Sequence, residues 1–482
     1  MKFFFPATEA PAMVGVLKRD QVMAIGIGVM VAVAAFSAGA PLIGFAVALV
    51  AAGWALLPAP GTGLPLRKWL AAELRWKFGR SAKAWSAPIT SEAGRDDVPG
   101  CLRDVRYLVA DPVGLWSVGA AIGVVRAGHE FSVVFPVEGP QIAMLANESQ
   151  LAQLSRWGVV LSQACSERGE AGVSRISWTD VHGAADPDAL IDYHRKFGVD
   201  GPTSADYQQF LSGVVTSSAT HRTFVTVSVN ARKVGVLKAR GAERIQLMCN
   251  AAAEQAMAVA TALTDEGFVV GRPLTPLALS RLVQSIGDPY VALPRATTAL
   301  ERAGLPEPGQ SGPRHVVPNR EWVEVDGAVH RAFQIRFPAR EVPGDWLFKL
   351  LDVQGPKVIT MIYRPVPPTQ SINKLDAELA RVGSNNEVSR RRKGRVSVRQ
   401  RREQMSIESR EVELVAGHQE VKVVGLVAMC GRDPEEVVNR GKVLQRTAQR
   451  QGGARVTPLE TQHAEGWAAA LPVGVEIGEA RS

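Results

Sequence analysis

The most concentrated charge in the chain is the run RRRKGRVSVRQRR at residues 390–402. Eight of its thirteen residues are basic and none is acidic: Arg390, Arg391, Arg392, Lys393, Arg395, Arg399, Arg401 and Arg402. Such a run can neutralise phosphates of a nucleic acid, attract anionic lipid or contact an acidic face of a partner protein. It also fits the solvated outside of a helix with no dedicated ligand. No aromatic side chain is interleaved, so stacking on single-stranded bases is not indicated.

Motifs for catalysis and cofactor binding are missing from the sequence. It contains no GxxxxGK[ST] phosphate-binding loop, no HExxH zinc motif and no GxSxG nucleophile turn. The four cysteines are far apart, a pattern that predicts neither a disulfide framework nor a cysteine-rich zinc site. The eight histidines do not cluster. We therefore predict a non-enzyme with no catalytic residue, no cofactor and no metal ion.

The net charge of +8 is concentrated in two basic segments. Residues 1–85 carry nine basic and three acidic side chains, a net charge of +6, and residues 390–402 add +8. Together these segments exceed the charge of the whole chain by six, so the remainder is mildly acidic at −6. An acidic partner is therefore expected at these two segments rather than over the whole surface.

An uncharged stretch from Val22 to Pro60 predicts a membrane anchor. It is about twice the length needed to cross a bilayer, and Pro41 disfavours one continuous helix. Two transmembrane helices at 22–38 and 42–57, joined by a tight turn, fit this stretch better. They belong to a predicted anchor region that spans residues 1–85.

The residues that flank the hairpin predict its orientation. Lys18 and Arg19 precede it and a basic segment follows it, so both termini are expected in the cytoplasm of a two-pass plasma-membrane protein. An amphipathic helix at 64–82 is expected along the inner headgroups. Its predicted membrane-interface residues are Arg67, Lys68, Trp69, Arg75, Trp76 and Lys77.

Alternating strand and helix patterns predict two α+β domains after the anchor. Residues 86–100 are expected to be a linker, 101–290 the first domain, 291–320 a second linker and 321–482 the second domain. Hairpins are predicted around Gly128-His129 and Asp326-Gly327, and a helix after Asp433-Pro434. Each half has the order hairpin–helix–strand, helical excursion, strand–helix–strand. The predicted fold class is therefore α+β, a transmembrane helical hairpin followed by two ferredoxin-like, split βαβ halves with a helical excursion.

The helical excursion places the basic run. Residues 372–387 and 403–417 flank the run and have helical propensity, and Gly383–Asn386 is predicted to form a turn. The run is thus expected at the corner of a helical hairpin, a basic arm at 370–417, which extends from the second domain.

Several stretches of the chain resemble actinobacterial conjugal-transfer membrane proteins. They are HRTFVTVSVN (221–230), HRAFQIRFPAREVPGDWLFKLL (330–351), VITMIYRPVPP (358–368), RREQMSIESREVELVAGHQEVKVVGLVAM (401–429) and GWAAALPVG (466–474). That family is similar to a two-helix inner-membrane subunit of type IV secretion fused to the non-motor N-terminal domain of the secretion ATPase. The resemblance implies a scaffold at the cytoplasmic face of an export channel, working with separate ATPases.

The expected function is that of a non-enzymatic inner-membrane scaffold that docks a partner ATPase or channel subunits of a type IV secretion or conjugation-like complex. A type VII secretion membrane component and a membrane-tethered nucleic-acid-binding protein that uses the 390–402 run are the alternatives. The expected partners are membrane lipid and secretion or conjugation ATPase and channel subunits, with nucleic acid and a second copy of the chain as further candidates.

Overall fold

The structure is a computed structural model. It describes residues 12–14, 17–39, 83–86, 99–117, 121–138, 147–166, 172–184, 219–232, 241–291, 312–336, 353–366, 368–393, 398–415, 420–452 and 454–475, together with the short stretches 42, 44–47, 70, 73–74, 76–77, 201, 206, 301 and 303–306.

Strands dominate the described part of the chain. They are β1 (Ala12–Val14), β2 (Leu17–Lys18), β3 (Trp85–Ser86), β4 (Val105–Ala110), β5 (Ile122–Ala127), β6 (Glu130–Glu138), β7 (Val173–Ala184), β8 (Ala219–Asn230), β9 (Val269–Val270), β10 (His315–Pro318), β11 (Val323–Val325), β12 (Ala328–Arg336), β13 (Lys357–Pro365), β14 (Val421–Gly431) and β15 (Arg455–Pro458). The helices are α1 (Arg19–Ser37), α2 (Asn147–Ser166), α3 (Gly241–Asp265), α4 (Pro276–Gly287), α5 (Pro368–Lys393), α6 (Val398–Val415), α7 (Pro434–Gly452) and α8 (His463–Ala470).

Strands β3 to β15 form one antiparallel sheet of 13 strands. Its main path is β3-β10-β11-β12-β14-β13-β7-β8-β6-β5-β4, with β15 beside β12 and β9 beside β6. Read outward from the centre, the path is β7-β8-β6-β5-β4 on one side and β13-β14-β12-β11-β10 on the other. Except for β3, which lies beyond β10, each strand on one side thus has a counterpart of equivalent chain order on the other side.

The pairing of β7 with β13 joins the two sides of the sheet. Their register runs from Ile176 opposite Tyr363 to His182 opposite Lys357. Each strand would otherwise present a long unpaired edge, and this pairing satisfies the backbone hydrogen bonds of both edges. The two halves therefore share a continuous hydrogen-bonded ladder.

Two local signals in the sequence are confirmed. Asp326 and Gly327 both adopt positive φ, at 50° and 97°, which allows the tight turn between β11 and β12. Asp433 precedes α7, which begins at Pro434, and the Asp433 carboxylate accepts a hydrogen bond from the Glu436 amide at 2.8 Å. This is the expected N-cap followed by proline at the first helical position.

Both faces of the sheet are covered by helices. Side chains alternate along β6, so that Phe131, Val133, Phe135 and Val137 belong to a core with α3, whereas Val134 belongs to a core with α4 and α8. Over β12, in the other half of the strand path, α7 packs Leu444 and Ala448 against the buried Phe333. The sheet is therefore the middle of three layers.

The segment after α8, which we call the strap (residues 471–475), crosses the central strands on the face that α4 and α8 cover. Its Leu471 and Val473 are buried in that core. Backbone carbonyls at alternating positions accept hydrogen bonds from sheet side chains: Ala470 from Thr360, Pro472 from Thr226 at 3.4 Å, and Gly474 from Arg175. The strap and Ala470, the last residue of α8, thus contact strands from both sides of the β7–β13 junction.

The fold class predicted from the sequence is wrong. The strands do not form two separate halves after a transmembrane hairpin, because they make one large antiparallel sheet. The sequence patterns identify the strands. They contain no local signal for which strands pair between the two halves.

The predicted two-pass plasma-membrane localisation, with both termini in the cytoplasm, is also wrong. No helix in the described residues is long and apolar enough to cross a membrane. α1 has 19 residues and its first two are Arg19 and Asp20, so its uncharged part falls short of the roughly 20 residues that a span requires. Most of the second predicted span, 42–57, lies outside the described residues.

Candidate functional site

The clearest candidate site is a two-helix arm between neighbouring strands. α5 and α6 lie in the chain between β13 and β14, which pair directly with each other. The Val366 amide donates a hydrogen bond to the Glu420 carbonyl at 2.9 Å, which closes the base of the arm. α5 has 26 residues, and at 1.5 Å per residue it is about 39 Å long.

The two helices of the arm have a small hydrophobic core of their own. Leu375, Val382 and Ile407 are its buried members, and Leu379 and Leu414 pack against them. On α5 these apolar residues recur at helical spacing, so one face meets α6. Beyond this core, the Asn386 side-chain amide donates to Gln404 at 3.0 Å. The arm is thus a helical pair whose core is separate from the clusters around the sheet.

Ion pairs fix the base of the arm. Arg410 on α6 contacts Glu378 on α5 at 3.0 Å and Glu420, just before β14, at 3.3 Å. Lys374 also contacts Glu420, at 3.1 Å. The side chains of Arg410, Glu378 and Glu420 are between 11% and 27% exposed, so solvent screens these pairs only in part. This network joins both helices to the start of β14.

The basic run lies at the tip of the arm. Arg390, Arg391, Arg392 and Lys393 are the last residues of α5, and Arg399, Arg401 and Arg402 lie in the first turns of α6. Arg395 falls outside the described residues. The side chains of Arg391 and Arg401 are exposed, and Arg391 pairs with Glu387 one turn earlier at 2.6 Å. The fold therefore gathers the run at the end farthest from the sheet.

The tip is electrostatically unfavourable when nothing is bound to it. Cations stabilise the C-terminal end of a helix and destabilise the N-terminal end. The four bases that end α5 are therefore well placed, but the three that begin α6 face the positive end of that helix. The bases in the first turn of α6 cost about 0.3–1 kcal/mol each, and repulsion among the neighbouring bases adds to this cost. An acidic ligand would reduce both the unfavourable interaction with the helix end and the repulsion among the bases.

The turn predicted at Gly383–Asn386 is wrong. α5 continues through these residues to Lys393. Val382 and Asn386 are both buried against α6 and are four residues apart, so packing holds the helix across Gly383. The connection between the helices falls instead within residues 394–397, which lie outside the described residues.

The six predicted membrane-interface residues are only partly described. Arg67, Lys68, Trp69 and Arg75 lie outside the described residues, whereas Trp76 is half-buried and Lys77 is exposed in a helical stretch. Nearby, Glu73 forms an ion pair at 3.5 Å with Arg320, between β10 and β11. The role of the six predicted residues at a membrane surface stays a prediction.

No sequence pattern pairs Cys430 with His330, but the structure brings them together. The Cys430 sulfur lies 3.8 Å from His330 Nε2. Burial raises the pKa of the Cys430 thiol and lowers the pKa of His330 to about 4, so both groups are neutral near pH 7. The imidazole donates to the Gly287 carbonyl at 2.7 Å. A reactive cysteine needs a thiolate, so this pair is a packing contact.

Cross-strand pairing also assembles a polar group that sequence reasoning missed. His182 is opposite His221 on β8 and opposite Lys357 on β13. The two imidazole rings are 4.6 Å apart, and Asp180 accepts hydrogen bonds from His221 at 3.2 Å and Thr223 at 2.7 Å. Polar residues at alternate positions of β7 and β8 were a visible signal, but only the register brings them together.

The chemistry of this polar group is limited. Burial, followed by the charges of Lys357 and His221, lowers the pKa of His182 to about 4. The Lys357 ammonium donates to the Val353 carbonyl at 2.6 Å. In the described part of the chain, no group of three or more His, Cys, Asp or Glu side chains is arranged to hold a metal ion. Asp180, His221 and Thr223 thus satisfy one another within the sheet, whereas His182 Nε2 is buried without a hydrogen-bond partner among the described residues.

Comparison of the chain with protein-family models and with curated proteins finds no match.

Proposed function

We propose that the chain is a non-enzymatic scaffold subunit of a type IV secretion or conjugation-like complex, and that its helical arm docks an acidic surface of a partner ATPase or channel subunit. The observation that carries this proposal is the basic tip. Seven bases of the described residues lie at the end of a helical pair, three of them near the N-terminal end of α6, where cations are disfavoured.

The construction of the arm supports docking. A packed core and ion pairs at the base hold the tip in a defined position relative to the sheet. A rigid, preorganised surface loses little conformational entropy on binding. Opposite charge on a partner also speeds encounter and selects against basic surfaces. The resemblance of the sequence to conjugal-transfer proteins supports a secretion partner in particular.

Binding of nucleic acid is the second candidate, since Arg391 and Arg401 are exposed at the tip and could contact phosphates. Such binding predicts an affinity that falls steeply with salt, by nearly one unit of logarithmic slope for each phosphate neutralised. The run from 390 to 402 contains no aromatic residue, so base stacking would not contribute.

The test is purification of the full-length chain through a C-terminal tag, followed by mass spectrometry of the bound proteins. We compare the wild type with Arg390→Gln/Arg391→Gln/Arg392→Gln. The control is Lys442→Gln/Arg446→Gln/Arg450→Gln, which removes three exposed bases from one face of α7.

Secretion or conjugation ATPases and channel subunits should accompany the wild type and the control, and be lost from the tip variant. Equal recovery with the tip variant would overturn docking through the tip. Recovery of nucleic acid alone, again dependent on the tip, would replace the scaffold proposal with the second candidate.

A further inference from the structure

The arm carries opposite charges in two regions. The tip, residues 390–402, has a net charge of +8. The rest of the arm, residues 368–389 and 403–420, which we call the shaft, has eight acidic and three basic side chains, a net charge of −5. Asp376, Glu408 and Glu411 are exposed on the shaft. The arm is therefore a rod with a basic end and an acidic body.

These charges neutralise each other poorly within one arm. Along α5, Asp376 is 15 residues from Arg391, and along α6, Glu411 is 10 residues from Arg401. At 1.5 Å per residue these separations are about 22 and 15 Å. The Debye length at physiological ionic strength is about 8 Å, so the attraction between them is largely screened. Local pairs neutralise part of each region, such as Arg391 with Glu387 and Arg410 with Glu378, but the exposed acids Asp376 and Glu411 are too far from the tip to neutralise it.

The shaft also exposes apolar side chains. Met405 and Val412 on α6 are 64% and 68% exposed, and Ile372 on α5 is 51% exposed. Met405 and Val412 are seven residues apart, so they lie on one face of α6, and Glu408 lies between them on that face. A heptad pair of exposed apolar residues beside charged ones is typical of a helix face that another helix covers.

We propose that two copies of this chain associate through their arms in antiparallel orientation, so that the basic tip of each lies against the acidic shaft of the other. A two-fold axis makes the same contact twice, which matches +8 with −5 at both ends. Met405 and Val412 of each copy are then covered by the partner's arm. This association needs only the chain itself and does not rest on the proposed secretion function, with which it competes for the tip.

The first measurement is the sedimentation of the purified full-length protein at about 0.05 M and about 1 M salt. At 1 M the screening length falls to about 3 Å. We expect a dimer at low salt whose dissociation constant rises at least about tenfold at high salt. A monomer at both salt concentrations overturns the proposal.

The decisive experiment exchanges the charges. A tip-reversed chain carries Glu in place of Arg390, Arg391, Arg392, Arg401 and Arg402, which changes the tip from +8 to −2. A shaft-reversed chain, Asp376→Lys/Glu408→Lys/Glu411→Lys, changes the shaft from −5 to +1. Each variant alone has like charges at the contact and should be monomeric. Mixed together, they restore opposite charges at both contacts and should form a one-to-one dimer.

The matched control places the same charge change elsewhere. Asp104→Lys/Glu254→Lys/Asp265→Lys replaces three exposed acids on the loop before β4 and on α3, and should leave the dimer unchanged. Circular dichroism verifies that each variant is folded. Folded reversed variants that fail to associate when mixed, or a control that dissociates as readily as the shaft variant, would overturn the antiparallel arm contact. Because only purified protein is used, this failure is distinct from a failure of secretion partners to bind.

Discussion

At the scale of single residues, the buried histidines tie the fold to pH. Burial lowers the pKa of His330 to about 4 and that of His463 to about 3, whereas histidine in an unfolded chain titrates near 6.5. Below about pH 6.5 the unfolded state therefore binds more protons, and the free energy of unfolding falls as the pH drops. At about pH 5 we expect a loss of roughly 2 kcal/mol for each of these two residues, measured by urea unfolding.

Variants assign this pH dependence to individual side chains. His463→Asn removes the titrating ring and keeps an acceptor for the Ala332 amide. In the wild type this amide donates a hydrogen bond to His463 Nδ1 at 3.1 Å. It should flatten the dependence between pH 5 and 7, while the exposed His129→Gln should not. An unchanged slope in His463→Asn would contradict the burial argument.

At the scale of secondary-structure elements, two helical glycines should respond to alanine in opposite directions. A Cβ at Gly441 on α7 would lie 2.6 Å from Cζ of the buried Phe333, whereas a Cβ at Gly383 on α5 meets nothing within 4 Å. We expect Gly441→Ala to destabilise α7 by about 1–3 kcal/mol and Gly383→Ala to stabilise α5 by about 0.5–1 kcal/mol. Hydrogen exchange resolved by helix measures both; protection that moves in the same direction in both helices would refute the argument.

The separate core of the arm predicts that the arm opens independently of the sheet. Ile407→Ala removes one of three buried side chains in that core and should cost about 2–5 kcal/mol if the site does not collapse. Trypsin should then cleave the arm many times faster, while the thermal unfolding of the sheet hardly changes. The exposed Ser409→Ala is the control. Loss of sheet stability in Ile407→Ala would show that the arm and the sheet unfold together.

Local patterns account for the elements that the sequence predicted well. The Asp326-Gly327 turn and the Asp433-Pro434 cap depend on a few neighbouring residues, so they are legible without the fold. The basic run of the candidate site could be recognised from the sequence alone. The end of α5 could not be predicted, because the packing of Val382 and Asn386 against α6 outweighs the helix-breaking tendency of Gly383.

At the scale of the whole molecule, the β7–β13 junction predicts that neither half is stable alone. A fragment of residues 83–291 would leave β7 as an open edge, and a fragment of residues 312–482 would leave β13 open. Exposed edges of this kind promote aggregation. We expect each fragment to aggregate when expressed alone and the two to form a one-to-one complex when expressed together, measured by gel filtration. Two monodisperse fragments that do not associate would contradict this.

Long-range pairing is also where sequence reasoning failed. The residues of β7 and β13 that pair are about 180 positions apart, as are Thr179 and Thr360, whose hydroxyls lie 3.2 Å apart. No pattern within either strand specifies the other. The prediction from the apolar stretch after Val22 failed for a related reason. Hydropathy alone does not determine where a helix ends, and α1 ends at Ser37.

The strap sets the order in which this protein can mature during its synthesis. Arg175 is made 299 residues before Gly474, whose carbonyl it binds across the sheet. At 5–20 residues per second, a ribosome takes about 15–60 s to cover that interval. During this time Arg175 and Thr226 lack the strap carbonyls that accept their hydrogen bonds in the folded chain. The nascent first half thus exposes these polar side chains until the strap emerges.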